Sequence, residues 1–174
     1  MAQNYKELLR GIQAVCLDYD GVFTDAIIYL LSDGELARTA NVKDGYAVQY
    51  ANKKGLRMAI ITGCTQEAVR TRFEGLGVHE VYLGSKNKSD VFKAFCTKYD
   101  IDPMSILYMG DDIPDVPVLK QVGLPTCPAD AAPEVKAVCS YVSPYAGGQG
   151  CVRDILEQVL KAKGQWLDQE SYEW

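Results

Sequence analysis

The chain has 174 residues, enough for one hydrophobic core and cramped for two. Its 18 Lys and Arg against 23 Asp and Glu leave a net charge of −5, which argues against a groove for DNA or RNA. The single histidine, His79, rules out a multi-histidine metal centre and would have to serve any Ser-His-Asp triad, so carboxylates are the expected chemical groups.

The N-terminal eleven residues carry Lys6, Glu7 and Arg10 and lack the apolar segment of a secretory leader. No apolar run approaches the ~18 residues of a membrane span, so the expectation is a cytoplasmic protein with no membrane contact. From Ala14 to Val159, short β-type runs alternate with segments of helical spacing. That alternation predicts a single domain over 1–174, an α/β fold with a Rossmann-like parallel sheet flanked by helices. The expected strands are Ala14–Leu17, Arg57–Ile61, 80–83, Ile106–Met109, 123–126 and 140–142. Val69, Phe73 and Leu76 fall on one face of one helix, and Phe92, Phe95, Cys96 and Tyr99 on one face of the next. Gly55 and Gly123 read as residues just past helix ends, and Pro114 as a first-turn residue.

One segment departs from the alternation. Residues 27–31 and 36–42, joined by Ser32-Asp33-Gly34-Glu35, predict a β-hairpin over about 25–42, inserted directly after the first strand. The tail from about 164 to 174 holds two Trp and a Tyr among acids; it is expected to fray or to dock on a neighbour. Six cysteines without a C-x-x-C pair, most within apolar runs, read as reduced core residues.

Acids collect at two of the expected strand ends. In Asp18-Tyr19-Asp20-Gly21-Val22-Phe23-Thr24, the first carboxylate closes an apolar strand and the second follows two residues on, so both can face one centre. Gly110-Asp111-Asp112-Ile113-Pro114-Asp115 repeats the device after another strand. Several carboxylates at one sheet edge suit a hard divalent cation, Mg²⁺ where phosphate is also bound. Taken singly, each cluster also fits a turn or helix cap. Thr62 after a buried strand and Lys88 at a helix start add a hydroxyl and an ammonium, the two donors a phosphoryl group needs.

With DxDGxxT from Asp18 to Thr24, an apolar strand ending in Thr62-Gly63, Lys88 and GDDxxD from Gly110 to Asp115, the sequence resembles the haloacid dehalogenase (HAD) superfamily of phosphohydrolases. The resemblance implies Asp18 as nucleophile and Asp20 as general acid and then base. Thr62 and Lys88 would hold the phosphoryl oxygens. Mg²⁺ would be held by Asp18, Asp111 and the backbone carbonyl of Asp20, with Asp112 and Asp115 supporting behind them. Asp at position 20 points to a phosphatase or phosphomutase.

The motif intervals are short: 44 residues from Asp18 to Thr62, 26 to Lys88 and 23 to Asp111. None has room for a cap domain, so the site is expected to borrow walls from another subunit, with the apolar hairpin as the interface. Within the superfamily the chain resembles the 3-deoxy-D-manno-octulosonate 8-phosphate (KDO 8-phosphate) phosphatases. The residues that carry this are Gly21 to Asp25, Asn41-Val42-Lys43-Asp44-Gly45-Tyr46, Gly110-Asp111-Asp112 with Asp115 and Pro117, and Gly147 to Arg153. That family implies lipopolysaccharide biosynthesis and a homotetramer whose hairpins complete neighbouring sites.

The substrate of that family is an anionic 2-keto sugar acid. Arg72 is the candidate cation for its carboxylate, because Ala68, Arg72 and Leu76 form one helix stripe; an internal pair with Glu80 or exposure to solvent are the alternatives. Thr24, Asn41, Lys43, Asp44, Gly63 and Arg153 complete the expected substrate contacts. Cys64 stands where enterobacterial-type members tend to have Arg, and Gly75 is small; a nine-carbon sugar acid 9-phosphate of sialic acid or KDN type is therefore the rival substrate. A receiver-like phospho-aspartate module conflicts with the motif order, and a non-catalytic scaffold with the presence of every motif residue.

Overall fold

The computed structural model describes residues 4–172; residues 1–3 and 173–174, the ends of the N-terminal segment and of the tail, lie outside the described residues. After a short helix α1 (Tyr5–Leu8), β1 (Ala14–Leu17) enters the centre of a six-stranded sheet. The hairpin strands β2 (Tyr29–Leu30) and β3 (Leu36–Ala37) follow, then α2 (Val42–Lys53), β4 (Arg57–Ile61), α3 (Glu67–Gly75), β5 (Glu80–Tyr82) and α4 (Lys88–Tyr99). The second half runs β6 (Ile106–Met109), α5 (Val116–Leu119), β7 (Leu124–Cys127), α6 (Pro133–Lys136), β8 (Tyr141–Val142) and α7 (Cys151–Ala162). The sheet order is β5-β4-β1-β6-β7-β8 and every pairing in it is parallel.

The chain therefore reverses its direction of winding at β1, with β4 on one side and β6 on the other. At such a switch point the carboxyl ends of adjacent strands open a crevice, and both acidic clusters lead out of it. Period-two alternation divides the core. Val15, Leu17, Met58, Ile60, Leu107 and Met109 pack against α2, α3 and α7, whereas Ala14, Cys16, Ala59, Ile61, Ile106 and Tyr108 pack against α4, α5 and α6. On α7, Val152, Ile155, Leu156, Val159 and Leu160 recur at helical spacing and are all fully buried.

The strands fall within a residue of their expected places. Three local readings change. The hairpin ladder is shorter than 27–42: Tyr29 pairs with Ala37 and Leu30 with Leu36, while Val42 opens α2 because Asn41 caps that helix. Gly123 ends no helix; a Cβ there would lie 1.9 Å from the carbonyl oxygen of Met104, so close backbone approach explains the glycine. The described part of the tail docks on its own chain, where Tyr50 donates to Asp168 at 2.8 Å and Trp166 meets Tyr50 edge to face. Among the described residues no helix is long and apolar enough to cross a membrane.

Candidate active site

Asp18 follows the last residue of β1 and is 6% exposed. Its Oδ1 accepts the N–H of Tyr19 at 2.7 Å and its Oδ2 pairs with Lys88 Nζ at 2.7 Å. Lys88 is the first residue of α4, with Asn87 as N-cap, and only 8% exposed. The ammonium also reaches Asp115 Oδ1 at 2.7 Å, so one buried cation bridges two carboxylates.

Asp115 is completely buried and both of its oxygens are engaged: Oδ1 by Lys88 and by the Tyr108 hydroxyl at 2.6 Å, Oδ2 by the N–H groups of Asp111 at 3.1 Å and Asp112 at 3.4 Å. This carboxylate folds the loop after β6 back on itself and so presents Asp111. Two glycines make the approach possible. A Cβ on Gly110 would lie 2.3 Å from Asp115 Cγ, and one on Gly21, whose φ is +77°, would lie 2.0 Å from Asp111 Oδ2.

Asp18, Asp111 and Asp115 each place a carboxylate oxygen within 4.8 Å of the others. Burial and the neighbouring Asp115 charge push Asp18 up to about 8, against the pull of Lys88, and burial with Asp115 pushes Asp111 up to about 7. For Lys88, burial opposes the charge, but Asp18 and Asp115 outweigh it and the ammonium is held above its usual range. When all three are ionised, the carboxylates against one ammonium leave two negative charges to be compensated. An all-oxygen donor set with that deficit fits a hard divalent cation.

Thr62 follows β4 and is 1% exposed. Its Oγ1 accepts the Cys64 N–H at 3.0 Å, which leaves the hydroxyl hydrogen to donate elsewhere. Asp20 is half-buried, and Arg38 Nε donates to its Oδ1 at 2.7 Å. Sequence reasoning missed Arg38. The residue lies outside every motif, and its only signal is a lone cation beside the hairpin.

The expected substrate contacts are dispersed. Thr24 is fully buried, and its Oγ1 accepts the N–H groups of Gly21 at 3.1 Å and Ala26 at 3.2 Å, so it braces the turn and offers no surface to a ligand. Asp44 is fully buried and accepts the Arg153 N–H at 2.7 Å, tying α2 to the start of α7; its Oδ2 has no hydrogen-bond partner among the described residues. Both differ from the expectation for the same reason: short polar side chains satisfied by backbone groups at element ends. Asn41 caps α2 and donates to the Gly148 carbonyl at 2.9 Å.

Asn41, Lys43 and Arg153 do line one open cleft of about 820 Å³ between α2 and α7, though Asp18, Asp20, Thr62 and Lys88 are not in its lining. Arg153 stacks over Tyr46 and Trp166 at 5.5 and 5.6 Å. Arg72 stands in a separate recess with Tyr19, Phe23 and Asn41. Its stripe is not the apolar one, since Ala68 and Arg72 are exposed and α3 buries Val69 and Phe73 instead. Glu80, its alternative partner, is taken by Lys98, Tyr82 and Tyr99. Gly63 and Asp112 are exposed.

Residues 75–155 match the family described as haloacid dehalogenase-like hydrolases. The KDO 8-phosphate phosphatase KdsC of Escherichia coli K12 is 38% identical over 156 residues, covering 90% of this chain and 83% of its own. The chain belongs to the KDO 8-phosphate phosphatase family of HAD-like hydrolases. Solved members superpose closely. The Yersinia pestis enzyme has a TM-score of 0.91 at 32% identity and covers 95% of this chain and 89% of its own. The Moraxella catarrhalis enzyme, solved with magnesium, phosphate and KDO, has a TM-score of 0.90 at 28% identity and 92% coverage of each chain.

Proposed function

We propose that the chain is a Mg²⁺-dependent phosphomonoesterase that hydrolyses KDO 8-phosphate to KDO and inorganic phosphate. The observation that carries the reaction is the buried Lys88 ammonium bridging Asp18 and Asp115 beside Asp111. Family membership carries the substrate. Asp18, Asp111 and the Asp20 backbone carbonyl would hold the metal, which supplies positive charge against the phosphoryl oxygens.

Asp18 attacks phosphorus while the phosphorus–oxygen bond to the sugar breaks, and Asp20 gives its proton to the departing alkoxide. In the second step Asp20 takes a proton from water, the water oxygen attacks phosphorus, and the Asp18 carboxylate leaves as phosphate is released. Lys88 and the Thr62 hydroxyl supply fixed donors for the charge on the transferring group. Asp115 holds Lys88 and the Asp111 loop in place. Asn41, Lys43, Gly63, Arg72 and Arg153 are the exposed or half-buried groups available to the sugar acid.

A cytoplasmic homotetramer accompanies this reading. The hairpin exposes Ile27, Ile28, Tyr29, Leu30 and Leu31, with Leu30 81% exposed, an apolar surface suited to covering a neighbouring site. Light scattering should give about four chain masses; an active monomer would contradict this part.

The central test is phosphate release from a panel of KDO 8-phosphate, a sialic acid 9-phosphate, KDN 9-phosphate and simple sugar phosphates. KDO 8-phosphate should be preferred and chelation should abolish turnover; a nine-carbon preference would move the assignment to the rival sugar acid. Asp18→Asn should fold and lose at least about 10³-fold in kcat.

A further inference from the structure

We infer that Arg38 is a positioning residue that fixes the Asp20 carboxylate and is delivered to the site by the base of the hairpin. The inference rests on the phosphohydrolase reading above. Arg38 directly follows β3. Its Nε donates to Asp20 Oδ1 at 2.7 Å, its Nη1 donates to Gln66 Oε1, and Gln66 Nε2 returns a bond to the Leu36 carbonyl at 2.7 Å. The hairpin, the segment before α3 and the loop after β1 are thereby joined by three hydrogen bonds.

Burial sets this arginine apart. Its side chain is only 8% exposed, although the hairpin that carries it is open to solvent along both strands. A guanidinium is withdrawn from water to this extent only where its charge is matched, and Asp20 is the one carboxylate it meets among the described residues. Asp20 in turn receives no other side-chain donor among the described residues. Asp18, by contrast, is fixed by a backbone N–H and an ammonium. Without Arg38 the Asp20 side chain, one-third exposed, would be free to change rotamer.

The contact also assigns the two oxygens of Asp20. Oδ1 is committed to Arg38, so Oδ2 is the atom that carries the exchanged proton. It gives the proton to the ester oxygen as the phosphorus–oxygen bond breaks, and later takes one from the attacking water. Proton transfer requires that oxygen within hydrogen-bond reach of the ester oxygen, and a misplacement of about 1 Å costs on the order of 10²-fold.

The experiment compares wild type, Arg38→Ala, Arg38→Lys and Gln66→Ala on KDO 8-phosphate and on p-nitrophenyl phosphate, whose leaving group departs without a proton. Arg38→Ala should lower kcat on KDO 8-phosphate by about 10- to 100-fold with KM within about twofold. Arg38→Lys should recover part of the loss, and Gln66→Ala should lose less. On p-nitrophenyl phosphate Arg38→Ala should keep a rapid burst of one nitrophenolate per site, followed by slow turnover, because only the water-activating step still needs Asp20. Unchanged kcat, a rise in KM alone, or equal slowing of the first step on both substrates would overturn the inference. Should Arg38→Ala fail to fold by circular dichroism, Arg38→Lys and Gln66→Ala are read by the same criteria, with smaller losses expected. A wild type inactive on every phosphate ester would defeat the phosphohydrolase reading, whereas an active wild type with an unaffected Arg38→Ala defeats this inference alone.

Discussion

Asp115 and Asp20 each meet a cation at 2.7 Å, yet their surroundings are opposite. Asp115 is completely buried and accepts from an ammonium, a phenol and two backbone N–H groups; Asp20 is one-third exposed and accepts from one guanidinium. A carboxylate whose lone pairs are all occupied can organise a loop but has nothing left to exchange with a substrate. One with a free oxygen at the edge of solvent can take up and release a proton. Within one constellation of aspartates, saturation by donors separates the frame from the chemistry.

Substitution of the frame should have the largest effect on stability. Asp115→Ala leaves Lys88 with one carboxylate and the Tyr108 hydroxyl without a partner among the described residues, and should cost about 3–5 kcal/mol in urea unfolding together with activity. Asp20→Asn should divide the two properties: kcat falls about 10²- to 10⁴-fold while stability moves by less than about 1 kcal/mol. Comparable loss of stability in both variants would erase the contrast.

Asp44 supplies a buried carboxylate with one oxygen satisfied and one without a partner among the described residues. Burial pushes it up to about 6, against the Arg153 and Gly150 N–H groups and the Arg153 charge. A folded-state value above the unfolded 3.8 means that its contribution is full below pH 4 and declines as pH rises through 6. Wild type should therefore lose about 2 kcal/mol relative to Asp44→Asn between pH 4 and pH 7, read from urea midpoints. A flat difference would show that the unpaired oxygen carries no penalty. The smallest effect belongs to Asp112, an exposed member of the same motif: Asp112→Ala should change stability by less than about 0.5 kcal/mol and kcat by less than about threefold.

Much of the site was legible before the fold. Asp18, Asp111, Asp115, Thr62 and Lys88 announce themselves because each stands at the end of an apolar run or the start of a periodic one, and a parallel sheet gathers such ends at one edge. Thr24 and Asp44 look like ligand contacts in the sequence because a short polar side chain at an element end looks the same whether it faces a substrate or a backbone N–H. For Arg72 the sequence misplaces only the stripe, and for a related reason. Two stripes of α3 contain apolar residues, and which is buried depends on the neighbours it meets.

By itself the sequence determined the strands, the parallel pairing of the sheet and the gathering of acids at two strand ends, since these follow from local periodicity and from apolar runs that must be buried; the roles of the individual carboxylates came only with the resemblance to the HAD superfamily. Only the tertiary structure decided how those carboxylates differ from one another. Donors reach Asp115 from α4, β6 and its own loop, whereas Arg38 reaches Asp20 from a hairpin 18 residues along the chain. Such contacts depend on how separate elements pack, and no local pattern of residues encodes them.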